Sequence, residues 1–143
     1  MKITEIYIDF EIRDGKYVYI GNESDGRKIN IPQTTTINGM FQNNKNLIYP
    51  PELPDNVEDI SWAFAGCENL IKAPKIKDGV KNANGAFSGC KNLKEGSMIP
   101  STVETGNWMY EGCVSMKTKI TKPSSLKRCI DIFKDVPVYF NED

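Results

Sequence analysis

Ala63-Phe64-Ala65-Gly66-Cys67-Glu68-Asn69-Leu70 is followed, 23 residues on, by Ala86-Phe87-Ser88-Gly89-Cys90-Lys91-Asn92-Leu93. The same phrase stands on either side of these two, as Met40-Phe41-Gln42-Asn43-Asn44-Lys45-Asn46-Leu47 and as Met109-Tyr110-Glu111-Gly112-Cys113-Val114-Ser115-Met116. The aromatic position recurs at Phe41, Phe64, Phe87 and Tyr110, and Phe133 extends the series. A fixed period in the twenties is the mark of stacked repeats, because one repeat alone cannot bury its apolar face. The expectation is a β-rich solenoid of about four repeats with boundaries near 40–62, 63–85, 86–108 and 109–131.

Aligning the repeats exposes further columns. Leu47, Leu70, Leu93 and Met116 form one. Leu53, Ile76 and Ile99 form a second, which ends in Lys122, so the fourth repeat is expected to lose that core position. Val57, Val80, Val103 and Leu126 form a third, and Ile60, Ala83, Gly106 and Cys129 a looser fourth. Paired rungs place such residues about 4.8 Å apart. Asn43, Gly66, Gly89 and Gly112 mark a turn residue at positive φ, which Gly and Asn tolerate best. Prolines at Pro50, Pro51, Pro74, Pro100 and Pro123 suit coil corners and forbid long helices. The third repeat departs from its neighbour with Gly96-Ser97 in place of Ala73-Pro74.

Residues 1–31 lie outside the period. Ile6, Ile8, Phe10 and Ile12 alternate with polar residues, the pattern of a half-buried strand. Asp14-Gly15 then predicts a hairpin turn, since both central residues need positive φ. Tyr17 to Ile20 form the return strand, and Asp25-Gly26 before Lys28 to Ile31 predicts a third strand. The whole is expected to be an antiparallel β meander capping the first repeat over 1–31, with the solenoid over 32–131. A closing strand through Val138, Tyr139 and Phe140, with a frayed Asn141-Glu142-Asp143, completes 132–143.

Eighteen basic and nineteen acidic side chains leave a net charge of −1, which argues against a dedicated nucleic-acid binder. Within 59–131, however, eleven Lys/Arg face seven Asp/Glu, a mildly basic surface of the kind an acidic partner would meet. No basic segment followed by an apolar run opens the chain and no apolar stretch spans a bilayer, so a cytoplasmic protein without membrane contact is expected.

Histidine is absent, and none of the glycine-rich phosphate loops or nucleophile-elbow motifs occurs, so neither catalysis nor a cofactor or small-molecule substrate is expected. Cys67, Cys90 and Cys113 fall at one phase of the repeat, with Asn44 in that place in the first. No C-x-x-C pair exists; buried reduced thiols at a turn fit better than a disulfide or a metal site.

The run from Cys67 through Leu70, Pro74, Ile76 and Val80 to Ala86-Phe87-Ser88-Gly89-Cys90 resembles the bacterial BspA-like, Treponema-type leucine-rich repeat. The resemblance covers about two thirds of the chain and excludes 1–30. It implies a curved, right-handed leucine-rich-repeat solenoid with short parallel strands on its concave side, and a role in adhesion or protein interaction. The expected function is therefore a small, freestanding, non-enzymatic protein-binding module that occupies a surface or bridges partners. One alternative is a phage- or mobile-element-encoded stoichiometric inhibitor of a bacterial defence protein; a second is a repeat fragment of a surface adhesin. Candidate contact residues are the strand-side columns Tyr49, Lys72, Glu95, Thr118 and Glu52, Lys75, Met98, Thr121. Trp62 and Trp108, one column two repeats apart, add aromatic anchors of the sort enriched at hot spots, unless they pack at the end of their coils.

Overall fold

The computed structural model describes residues 9–137. The strand positions Ile6 and Ile8, and the tail from Val138 through Tyr139, Phe140 and on to Asp143, lie outside them. Asp14 and Gly15 take φ of 51° and 76°, and this turn joins β1 (Phe10–Arg13) to β2 (Lys16–Tyr19). The two strands pair antiparallel, Phe10 opposite Tyr19 and Arg13 opposite Lys16. The expected third strand does not form. Asp25 instead accepts from the Arg27 N–H and caps a short 3-10 turn, Gly26–Lys28. The Asx chemistry that marks a hairpin equally starts a helical turn. Here the second outcome prevails because Gly26 lies against the Tyr49–Pro51 backbone, where a Cβ would come within 2.3 Å of the Tyr49 carbonyl oxygen.

From Ile37 onward the repeats bond to one another in a regular alternation. In the first coil the N–H groups of Ile37, Gly39, Phe41 and Asn43 donate to the carbonyls of Asp59, Ser61, Ala63 and Ala65 in the next. The intervening Met40, Gln42 and Asn44 turn back three residues, onto Ile37, Gly39 and Phe41. The pattern recurs in each coil as far as Gly106, Trp108, Tyr110 and Gly112, which donate to Arg128, Ile130, Ile132 and Lys134. Every second backbone donor of this segment is thus satisfied by the neighbouring coil.

Such an alternation needs left-handed residues, and each coil supplies two, with φ between 50° and 77°. One position is Asn43, Gly66, Gly89 and Gly112, where the sequence predicts positive φ, and Asp135 continues it. The other is Gly39, Trp62, Gly85, Trp108 and Asp131, where two bulky residues take a conformation that costs an L-residue roughly 1–2 kcal/mol.

The aromatic side chains form one interior column. Phe41, Phe64, Phe87 and Tyr110 are all buried, their rings stacked at 5.2, 5.6 and 5.2 Å within 13° of parallel. Phe133 continues the column below Tyr110 at 6.1 Å. Tyr19 of β2 continues it above Phe41 at 5.2 Å, and its N–H donates to the Met40 carbonyl. The hairpin therefore joins the repeat stack instead of only covering it. Each stacked pair adds roughly 0.5–1.5 kcal/mol to the burial of its rings. Leu47, Leu70, Leu93 and Met116 line the same core, as do Val57, Val80 and Val103.

The fourth repeat does not lose its core position. Lys122 is only half-buried, but Ile120, two residues earlier, is fully buried. Its Cδ1 would come within 2.5 Å of a Cβ at residue 96, so Gly96 provides the space into which Ile120 packs. Parallel pairing links coils through isolated bridges, not continuous strands. Thr36, Asp59, Asn82, Thr105 and Arg128 form one such series, and Lys72 with Glu95 belongs to another. Prolines beside the second series (Pro50, Pro51, Pro74) lack the N–H that would lengthen it. The result is a β-rich, nearly helix-free repeat fold.

Candidate functional site

Leucines 47, 70 and 93 point inward, and the two residues after each lie outside the core. That places Ile48-Tyr49, Ile71-Lys72, Lys94-Glu95 and Lys117-Thr118 on consecutive rungs. The rungs are tied together by Ile71 N–H to Ile48, Lys94 N–H to Ile71 and Lys117 N–H to Lys94, at 3.0, 2.9 and 2.9 Å. Seven of these eight residues, all but Ile48, line an open groove of about 600 Å³. Of the sequence candidates, Tyr49, Lys72, Glu95 and Thr118 belong here. Tyr49 is 41% exposed, with the Arg27 guanidinium 4.8 Å above its ring.

Glu52 and Lys75 line an adjoining hollow of about 630 Å³ with Arg27, Pro51 and Lys77, and Lys72 borders both. Met98, 54% exposed, and Thr121 line neither hollow. Trp62 and Trp108 line neither as well. They stack on each other at 6.0 Å across Gly85, where a Cβ would lie 2.2 Å from the Trp62 ring. Half-buried, they pack against each other along the stack. Ile71, Lys94 and Lys117 were not singled out from sequence, although their column has the same 23-residue period as Tyr49's.

Charge on the other rungs is largely balanced between coils. Lys81 approaches Glu58 at 3.7 Å and Lys127 approaches Glu104 at 3.9 Å. Glu68 lies between Lys45 at 3.4 Å and Lys91 at 3.1 Å, and hydrogen bonding from Lys91 holds its carboxyl below the usual range. Lys77 donates to the Leu53 carbonyl at 2.7 Å and to Asp55 at 2.7 Å, and the bond to Asp55 raises the Lys77 pKa and lowers that of Asp55. Arg27 clasps Asp25 through Nε and Nη2 at 2.8 and 3.0 Å, which lowers the Asp25 pKa. These pairs lie at the surface and each contributes little to stability.

The cysteines belong to the interior. Cys67, Cys90 and Cys113 donate S–H to the carbonyls of Phe41, Phe64 and Phe87 at 3.1, 3.1 and 3.2 Å. Burial pushes the Cys67 and Cys113 thiols up to about 12, and that of Cys90 well above its ordinary value. In the first repeat Asn44 accepts from the N–H groups of Asn46 and Leu47 instead. Such thiols are poor nucleophiles. Among the described residues no cluster of three or more His, Cys, Asp or Glu could hold a metal ion, and no helix is long and apolar enough to cross a membrane.

Stacked coils of 23 residues with an outward-facing ladder and a phenylalanine–leucine interior define a leucine-rich-repeat protein. The chain belongs to the BspA type leucine rich repeat region family, which matches it in six copies over residues 15–134. Six exceeds the expected four, in keeping with an aromatic column that runs from Tyr19 to Phe133 among the described residues. No curated protein and no solved structure matches the chain.

Proposed function

We propose that the chain is a non-enzymatic protein-binding module that acts by occupying a partner's surface or bridging two partners. The observation that carries this is the concentration of large apolar side chains beside charged ones on the ladder face. Ile48 and Tyr49 stand 36% and 41% exposed there, next to Ile71 and four charged residues. Exposed aromatic and aliphatic groups ringed by charge characterise contact surfaces. Met98 and Lys75, one column over, extend the surface, and Glu52 and Thr121 form its edge. Trp62 and Trp108 contribute on a separate flank.

The reading includes a curved solenoid with 1–31 as cap, 32–131 as binding array and 132–143 as closing segment, working in the cytoplasm. An inhibitor encoded by a mobile element and a fragment of an adhesin are narrower forms of it; neither draws on a structural feature of its own. A photo-crosslinking amino acid at position 48, beside Tyr49, used in a bacterial lysate and followed by mass spectrometry, tests the reading. A specific partner is expected, with Tyr49→Ala weakening its recovery at least tenfold. Recovery of nothing above background, or of a partner indifferent to position 49, counts against it.

A further inference from the structure

We infer that the groove between Tyr49 and Lys117 takes an acidic protein segment, whose carboxylates sit over Lys94 and Lys117 while an apolar side chain covers Tyr49 and Ile71. This deepens the protein-binding reading and rests on it. The argument is charge complementarity. In two other lysine-bearing columns of the stack the signs alternate: Glu58, Lys81, Glu104 and Lys127 in one, and Lys45, Glu68 and Lys91 in the other. Each cation there has a carboxylate on a neighbouring coil. Lys94 and Lys117 break the rule. They occupy adjacent rungs of one column, the Lys117 N–H bonded to the Lys94 carbonyl at 2.9 Å, and neither has an ion pair among the described residues. The groove's own carboxylate, Glu95, leans 3.9 Å from Lys72.

Like charges facing each other across paired rungs are destabilising. The arrangement is therefore unfavourable in the free protein and becomes favourable when an anion lies between the two ammonium groups. The other like-signed pair in one column, Asp55 and Asp78, is relieved by Lys77 on Asp55 at 2.7 Å. Toward the other end the same groove turns apolar, with Ile71 and the exposed ring of Tyr49. Lysine reads carboxylate as a point charge without demanding planar geometry, so the ligand is defined by acidic residues beside an apolar anchor.

Fluorescence anisotropy with labelled extended peptides, adjacent Glu residues flanked by Leu or Phe, tests this on the full chain. The acidic peptide is expected to bind at least tenfold tighter than its Gln isostere. Lys94→Glu/Lys117→Glu is expected to abolish the difference, with Lys94→Gln/Lys117→Gln reducing it and Lys81→Gln leaving it intact. Lys117→Glu alone places opposite charges on adjacent rungs and is expected to raise the thermal midpoint of the free protein by about 1–3 °C. Equal binding of the Gln peptide, no binding of any acidic peptide at millimolar concentration, or an unchanged or lower midpoint in Lys117→Glu overturns the proposal. Tighter, Lys94-dependent binding of a single-stranded oligonucleotide also overturns it, since the anion would then be phosphate. A crosslinked partner that depends on Tyr49 but ignores Lys94 and Lys117 overturns this proposal and leaves the protein-binding reading standing.

Discussion

Tyr110 shows how one extra atom in the core reorganises the residues around it. It occupies the place of Phe87 one coil down, fully buried, so its hydroxyl must be satisfied inside. It donates to the Ser97 carbonyl at 2.7 Å and accepts from the Ser97 N–H at 2.9 Å. Position 97 corresponds to Pro74 one repeat earlier, and proline has no N–H to give. The irregular Gly96-Ser97 is thus the counterpart of Tyr110. Tyr110→Phe is expected to cost about 1–2 kcal/mol, the usual range for a buried hydrogen bond whose partner is left behind. Ser97→Pro should destabilise too, and the pair together by clearly less than their sum, read from a double-mutant cycle of urea unfolding curves. Strict additivity would mean that the two positions are not energetically coupled. The thiols make a second prediction at this scale. Cys67 and Cys113 hold their protons to about pH 12 when folded, against an ordinary value of 9.0, because burial penalises the thiolate. A folded pKa raised in this way contributes stability that is whole below pH 9 and drains away between pH 9 and 12, as the unfolded chain ionises first. Stability should therefore be flat with respect to these groups up to about pH 8 and fall by up to about 1.4 kcal/mol per pH unit per thiol above 9. In the native protein at pH 8 a thiol reagent should modify the half-exposed Cys129 and spare the other three.

Among the elements of the coil, the turn bearing Gly39, Trp62, Gly85, Trp108 and Asp131 is the most informative. Gly85 has φ of 61° and no room for a methyl group, because the Trp62 ring lies 2.2 Å from where its Cβ would be. Gly85→Ala combines left-handed strain with loss of the Trp62–Trp108 stack, and is expected to cost more than about 2 kcal/mol in denaturant unfolding. Gly79→Ala makes the comparison: it also has positive φ, at 104°, but open space around it, so it should be milder. The contrast marks what could be read from the chain. The aromatic and cysteine columns were legible because identical side chains at a fixed period point to one interior. The left-handed turn at Asn43 and the three glycines was legible because those residues tolerate positive φ. The tryptophan turn was not, since bulky residues normally avoid that region and the Gly-Trp-Gly-Trp-Asp column mixes opposite tendencies. Ile120 was not legible because it fills the Lys122 column's site from two residues away, by virtue of a glycine in the coil before. The third strand failed because Asp25-Gly26 serves a hairpin and a capped 3-10 turn equally well. For the groove, Tyr49, Lys72, Glu95 and Thr118 came from periodicity, whereas the stacked lysines became meaningful only once neighbouring rungs were seen to pair their charges.

At the scale of the whole molecule, each coil bonds chiefly to the coils on either side, so damage should depend on where along the stack it falls. Phe87 has a ring above and a ring below, at 5.6 and 5.2 Å, and its backbone donates to Met109. Phe133 stacks on Tyr110 at 6.1 Å and is only partly buried. Phe87→Ala therefore opens a cavity between two coils and severs the column into halves, each of which is left with an unburied face. A loss of roughly 3–5 kcal/mol is expected, the range for removing a buried aromatic ring, and for a chain of this size it should weaken the fold from end to end. Phe133→Ala removes a ring that is only partly buried and should cost much less. Hydrogen exchange distinguishes the two without reference to a total. With Phe133→Ala, protection should fall at the last rungs, including the Tyr110 and Gly112 amides that donate to Ile132 and Lys134, while the Phe41 and Phe64 amides exchange as before. With Phe87→Ala, protection should fall at all of these together. If Phe133→Ala instead accelerated exchange uniformly from Phe41 onward, the coils would be coupled over the full length of the stack and nearest-neighbour bonding would not describe the molecule.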